Sequence, residues 1–452
     1  MVRRAWLMGM LSATLLAGQA AAQDEYDLKV PDRNLVLDIR KGAKPLRDAG
    51  GSIPADHQKA IDAVANYTML RITSEVNRRI KPGQVVEMAD LVRQAADYML
   101  EVPAPPKKLS ESQRDYMQVY GKACLERLRP IFGTAEKPSK FEPIVRVNAA
   151  RLLSLVARMG YEESADVAIA VIENPKEIDA VRFWALQALR NLFTAVNPDF
   201  PEKSVVTKAD RELKAVQALI GFISRKVKTD DMPPEEAEAV RYVRREAIRA
   251  LGHVRKPIYR TEGKIVAIPA LWLLRVAAAD PVLSPLPNVS ERVEGAVSYL
   301  QLNPDRTENT DYAVFYLGKM ARDLAKDFSE KQDLKIDPKE KPKELGTPVS
   351  QRDYYAWKAG MLKLEMGLKD WKAAWDADNP TPPQPAGRLM TELVANVVNN
   401  ICEPIQGINA ARKQIDGSEV DRWVTDQLSA GLFANASLFK DDPTATVALS
   451  IP

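Results

Sequence analysis

Histidine and cysteine are nearly missing from this chain, with two of each among 452 residues: His57 and His253, Cys124 and Cys402. Neither histidine has cysteines or clustered carboxylates at metal-ligand spacing, and H-E-x-x-H, C-x-x-C and C-x-x-C-H are absent, so the sequence offers no local zinc or haem site. G-x-S-x-G, the P-loop and G-x-G-x-x-G are missing too, which removes the nucleophile elbow and the phosphate cradle. No catalytic, cofactor-binding or metal-ligating residue is assigned, and no cofactor is implied. An excess of charge of one sign is also lacking. Without the two arginines of the first 22 residues, the 64 Lys+Arg fall to 62 against 61 Asp+Glu. Nucleic-acid binders and polybasic membrane-surface proteins work through a large positive excess, so neither class fits.

Long apolar runs are scarce. The main one, "AWLMGMLSATLLAG" at residues 5–18, is shorter than the ~20 residues a membrane-spanning helix needs. Arg3 and Arg4 precede it and an Ala20-x-Ala22 site follows, the pattern of a cleavable secretory leader. The chain is therefore expected to be exported, to the periplasm or beyond the cell, after cleavage near Ala22, and to have no membrane span. The Arg3–Arg4 pair leaves general and twin-arginine export both open. An oxidising compartment permits a Cys124–Cys402 bond. Cys124, however, falls on the stripe Met117, Tyr120, Cys124, Leu128, Ile131, where a free cysteine serves as a small buried hydrophobe.

Aromatics make up only 7% of the chain, and abundant Ala, Leu and Val favour helix. One helical pattern recurs: "VRVNAARLLSLVARMG" from Val145, "VRFWALQALRNLF" from Val181 and "VRREAIRALGHV" from Val243. In register stand Ala149, Ala185 and Ala247, then Leu153, Leu189 and Leu251, then Val156, Leu192 and Val254. These positions share roughly 80° of a helix surface, a narrow apolar face with a small residue near its middle. An amphipathic helix precedes each copy. The unit is thus a helical hairpin that must stack on neighbours to bury its faces, with spacings of 36 and 62 residues and loop extensions absorbing the excess. His253, one residue before a core valine, is read as a partly buried structural histidine.

The pattern V-R-x-x-A-x-x-x-L resembles the HEAT repeat over residues 112–256. The resemblance implies an all-α fold, an α-solenoid of helical hairpins followed by a C-terminal helical region. It also implies that Arg146, Arg182 and Arg244 form a ladder with acidic residues of adjacent units. Asp179 matches the acidic position in one copy, Glu142 lies near the first, and the third has none in register. The expected organisation is a leader (1–22), an extended or flexible segment (23–55) and a capping helical pair (56–107). HEAT-like repeats (108–256), continuing helices (257–328), a charged linker (329–349) and a C-terminal helical bundle (350–452) follow. In the bundle, Tyr354, Trp357, Met361, Leu364, Leu368, Trp371 and Trp375 form a heptad seam. Its partner is either a helix bearing Met390, Val394, Val397 and Ile401 or a second copy of the chain. "SQRDY" at Ser112 and again at Ser350 has the spacing of a helix capping box.

On the second helices, positions opposite the apolar face carry Arg151, Gln187, Arg190, Arg245 and Arg249, with Val147 and Phe183. They are expected to line a mildly basic groove for an acidic peptide or protein segment of unknown identity. The functional expectation is an exported, non-catalytic scaffold for protein binding or assembly. A secreted all-helical glycosidase or polysaccharide lyase stays open, because such enzymes need only two carboxylates, and so does a glycan binder with an aromatic platform.

Overall fold

A computed structural model describes residues 33–73, 88–99, 109–195, 197, 204–228, 232–303, 305, 307–332, 362–370, 373, 421–422, 424–426 and 436–448. The leader, the linker beyond residue 332, Cys402, the second "SQRDY" and most of the heptad seam lie outside the described residues. The protein is mostly helical and divides into two compact units, Met1–Ala215 and Val216–Pro452. The division falls inside the segment expected to be one repeat array. No described helix is long and apolar enough to cross a membrane.

The first unit contains α1 (Arg33–Arg40), α2 (Ala55–Thr73), α3 (Met88–Ala96), α4 (Glu111–Leu128), α5 (Pro143–Arg158), α6 (Ser164–Glu173) and α7 (Asp179–Thr194). Helix α8 (Ala209–Ile223) spans the division. The presence of α1 corrects the expectation of an extended segment there. Val36 and Ile39, one turn apart, are fully buried, and α1 packs on α2 and α4. The capping expectation is also corrected. Helix α4 begins two residues earlier than "SQRDY" suggests, with Ser110 and Gln113 forming the reciprocal cap. Ser112 instead accepts the Leu46 amide at 2.7 Å, and Asp115 pairs with Arg47 at 2.5 Å. Cys124 is a free, buried thiol that burial pushes up to about 12. It is a core residue here.

The main seam of this unit joins α5 to α7, the helices that carry the first two copies of the repeated pattern. Proline at the first helical position opens α5, where no intrahelical donor is lost. Ala149, Leu153 and Val156 are buried on α5, as are Ala185, Leu189 and Leu192 on α7. Asn191 donates to the Ser154 carbonyl at 3.0 Å, a polar tie across the seam.

The second unit contains α9 (Pro234–Gly252), a hairpin of β1 (Tyr259–Thr261) and β2 (Lys264–Ala267), then α10 (Pro269–Ala278), α11 (Val289–Leu300) and α12 (Thr310–Gln332). The strands replace the continuing helix expected over "KIVAIP". They pair antiparallel, Arg260 opposite Ile265 and Thr261 opposite Lys264, around Glu262 and Gly263. Both turn residues have positive φ, 52° and 76°, the geometry of a tight hairpin turn that matches strand twist. Helix α9, bearing the third copy, packs on α11, and α11 packs on α10. Two glycines set these distances. A Cβ on Gly252 would stand 2.5 Å from the Ser298 Cβ, and one on Gly295 would stand 2.9 Å from the Leu273 carbonyl oxygen. Segment 436–448 returns to this unit and buries Leu438 and Phe439 completely.

Candidate functional site

The three repeat arginines are drawn inward. Arg146 donates to the Glu177 carboxylate, which also accepts the Ile178 amide at 2.9 Å. Glu177 stands two residues before α7, so α5 grips the turn that feeds its neighbour. Arg244 does the same in the second unit with more bonds. Its Nε and Nη2 reach the two Glu291 carboxylate oxygens at 2.7 and 3.0 Å, and Nη2 also reaches the Pro285 carbonyl at 2.7 Å. Glu291 closes the α11 capping box with Asn288, so one carboxylate caps a helix and neutralises a buried guanidinium. Burial pushes the Glu291 carboxyl above its usual range against the downward pull of Arg244. Arg182 behaves differently: it pairs with Asp179 of its own helix at 2.8 Å and donates to the Asn174 carbonyl at 2.5 Å.

The expected ladder is therefore corrected in its partners. The acid that meets Arg146 is Glu177 rather than Glu142, and the third copy does have an acid, Glu291. Sequence reasoning passed over both because they lie 31 and 47 residues from their arginines, at no common offset. One signal was readable: Asn288-Val-Ser-Glu291 is a capping-box sequence ahead of a helix.

The five residues assigned to a basic groove fall into two sets, one in each unit. Arg151, Gln187 and Arg190 are half-buried in the first. The Arg151 guanidinium lies 5.1 Å from the Trp184 ring centroid, and Trp184 meets Phe183 edge-on at 5.5 Å. Arg151 Nε and Gln187 Oε1 are buried polar atoms without a hydrogen-bond partner among the described residues. In the second unit Arg245 lies over Tyr242 at 5.2 Å. Arg249 binds Glu294 at 2.8 Å and approaches Glu246 at 3.5 Å. Burial opposes its charge, but the Glu294 hydrogen bond and both carboxylates hold it protonated more firmly than usual. Its charge is spent within the unit, which corrects its assignment as a free groove cation.

A second feature recurs beside the arginine grips and was not assigned from the sequence. Ile144, two residues before Arg146, is 47% exposed, and Tyr242, two residues before Arg244, is 51% exposed. Ile178 immediately follows the gripped Glu177 and is 36% exposed; Leu286 immediately follows the gripped Pro285 and is 54% exposed. Arg241 donates to the Leu286 carbonyl at 3.1 Å and fixes that turn beside α9. Phe141, three residues before Ile144, is 45% exposed. The readable signal was an apolar residue immediately before the repeat valine, off the buried stripe. Among the described residues no group of three or more His, Cys, Asp or Glu has the arrangement to hold a metal ion. The chain matches no protein-family model, no curated protein and no solved structure.

Proposed function

We propose that this chain is an exported, non-catalytic helical-repeat scaffold, built on a HEAT-like plan, that binds a protein partner through repeated apolar edges. The observation that carries this reading is an exposed apolar residue immediately before the repeat valine in both units, Ile144 and Tyr242, each accompanied by an exposed apolar residue next to a group that the repeat arginine grips, Ile178 and Leu286. Isolated exposed hydrophobes are ordinary on a surface. Pairs fixed beside a buried arginine grip in both units are the kind of rigid anchor on which protein interfaces concentrate their binding energy. The half-buried Arg151, Gln187 and Arg190, next to Trp184, supply a mixed aromatic and cationic surface suited to an acidic segment of the same partner.

The test uses the full chain, expressed with its leader and crosslinked in the envelope fraction. The wild type is expected to yield one stoichiometric partner. Ile144→Asp with Ile178→Asp, or Tyr242→Asp with Leu286→Asp, should lose it with only a small fall in melting temperature, since each side chain is a third to a half exposed. Charge reversal at Arg151 and Arg190 should weaken the complex and flatten its salt dependence. A partner retained by all three variants would overturn the reading. Recovery of the chain in the cytoplasm with its leader intact would overturn its exported part.

A further inference from the structure

The second unit reads a stretch of extended main chain with side chains, the way a receptor reads a peptide. Segment 436–448 first closes on itself, the Leu438 amide donating to the Ala445 carbonyl at 2.8 Å. After a turn at Ala445, where the Thr446 amide donates to the Thr444 carbonyl at 2.8 Å, it runs past α10 and α12. Arg275, on α10, donates to the Thr446 carbonyl at 3.0 and 3.3 Å. On α12, Tyr312 accepts the Val447 amide at 2.7 Å and Tyr316 donates to the Val447 carbonyl at 2.8 Å. Asp280, just past α10, accepts the Ala448 amide at 3.0 Å. Three successive residues are thus gripped by side chains at their backbones. Side-chain selection is confined to Ala445 and Val447, which are buried, while Thr446 and Ala448 face outward.

The reading groups are preorganised. Tyr312 and Tyr316 stand 4.8 Å apart and tilted by 51°. Asp280 is nearly fully buried, accepts the Val282 amide at 2.9 Å and lies 3.5 Å from Arg275. Leu438 and Phe439 are held differently, by complete side-chain burial and by main-chain bonds such as the Asn309 amide to the Leu438 carbonyl at 2.7 Å. Here the polar groups of four side chains converge on a main chain that any extended peptide could present.

We propose that Arg275, Asp280, Tyr312 and Tyr316 form a binding site for an extended peptide of the pattern Ala-x-Val, filled in cis by the chain's own residues 445–448. Recognition through main-chain hydrogen bonds tolerates sequence variation at the outward positions, and the tether supplies an effective concentration on the order of millimolar. A peptide offered in trans therefore gains the site only when the cis segment is weakened.

The probe is a labelled synthetic peptide with the sequence of residues 436–448, titrated by fluorescence anisotropy against the full chain. Val447→Asp places a charge where an apolar side chain is buried and should loosen the cis segment. That variant is expected to bind the peptide at least about tenfold more tightly than the wild type does. Adding Tyr312→Phe and Tyr316→Phe should remove the gain. A folded Val447→Asp chain that binds no better than wild type, or a triple variant that binds equally well, would overturn the proposal. Hydrogen exchange on the wild type gives an independent reading that needs no variant. The Val447 and Ala448 amides should exchange by a local opening, at least about tenfold faster than the slowest amides of α10 and α12. Exchange at the same rate as those helices would mean that the segment never leaves the site alone, and would overturn the proposal as well.

Discussion

In the first unit the α5–α7 seam is lined by Ala149 and Ala185, and Arg146 retains a side-chain exposure of 13% while gripping Glu177. In the second unit Gly252 and Gly295 bring α9, α11 and α10 closer than any Cβ would allow, and Arg244 and Glu291 are 3% and 1% exposed. The same device, an arginine holding the turn that feeds the next helix, thus operates at two degrees of dryness. Water still reaches the Arg146 side of the first pair, although Glu177 is as dry as Glu291 at 1%, so a space left at Arg146 opens to solvent. It hardly reaches the second, where each charge depends almost wholly on its partner. A buried ion pair contributes little net stability against an apolar pair of equal volume, yet losing one member is costly. The difference between the units should therefore appear in single substitutions and vanish in matched double ones.

The largest effect is expected at Arg244. Arg244→Met leaves the Glu291 carboxylate buried with only its cap hydrogen bonds, a loss on the order of 3–5 kcal/mol. Glu291→Leu added to it removes the stranded charge and should recover most of that loss, apart from the α11 cap, worth about 1 kcal/mol. Denaturant unfolding followed by hydrogen exchange in α11 separates this unit from the first. A double variant no more stable than Arg244→Met would show that the grip is valued for its geometry, and the comparison between dry and wet pairs would fail.

Gly252→Ala comes next. The added methyl meets Ser298 at a distance no Cβ tolerates, so overpacking should cost roughly 1–3 kcal/mol, partly offset by the helix preference of alanine. Ser298→Gly on that background should relieve only part of it, because the backbone Cα of residue 298 still stands 2.8 Å from the new methyl. At the corresponding seam of the first unit, Arg146→Met should cost less than Arg244→Met, on the order of 1–3 kcal/mol, because Arg146 is 13% exposed where Arg244 is 3%, so water can enter the place it leaves beside Glu177. Equal losses at Arg146 and Arg244 would remove the distinction drawn here.

What was legible in the sequence was what is local. A helix face is written within a dozen residues, so the stripes through Val145, Val181 and Val243 were readable, and Ala149, Ala185 and Ala247 are all fully buried. The partners of the arginines were not readable, because Glu177 and Glu291 are placed by intervening loops of different length. The second loop contains a strand pair whose turn, Glu262-Gly263, carries positive φ on a residue that seldom adopts it. Helix α1 escaped notice because eight residues give too short a window for periodicity and its burial depends on α2 and α4. Exposure at Ile144 and Tyr242 was hidden for the converse reason. Whether an apolar residue beside the stripe stays wet depends on where the neighbouring helix stops.

The smallest effect, and the most specific to the first unit, is a pH dependence at the entry to α8. Glu162 accepts the Thr207 amide and hydroxyl at 3.1 and 2.7 Å and the Lys208 amide at 3.2 Å, and it binds Arg211, so one carboxylate from the turn before α6 holds the residues that lead into α8. Burial opposes its charge, but the Thr207 bonds and Arg211 prevail and keep the carboxyl below its usual range. A group with a lowered folded value adds stability above its unfolded value, near 4.3 for a glutamate, and that stability is lost as the pH falls through the folded value. Thr207→Val deletes the hydroxyl donor alone. The variant should be less stable than wild type at neutral pH, and the gap should narrow on acidification below about pH 4 as Glu162 becomes protonated in both proteins. If the Thr207→Val gap kept a constant size from neutral pH down to acid unfolding, the hydroxyl would be acting through packing, and the charge on Glu162 would have no part in holding α8.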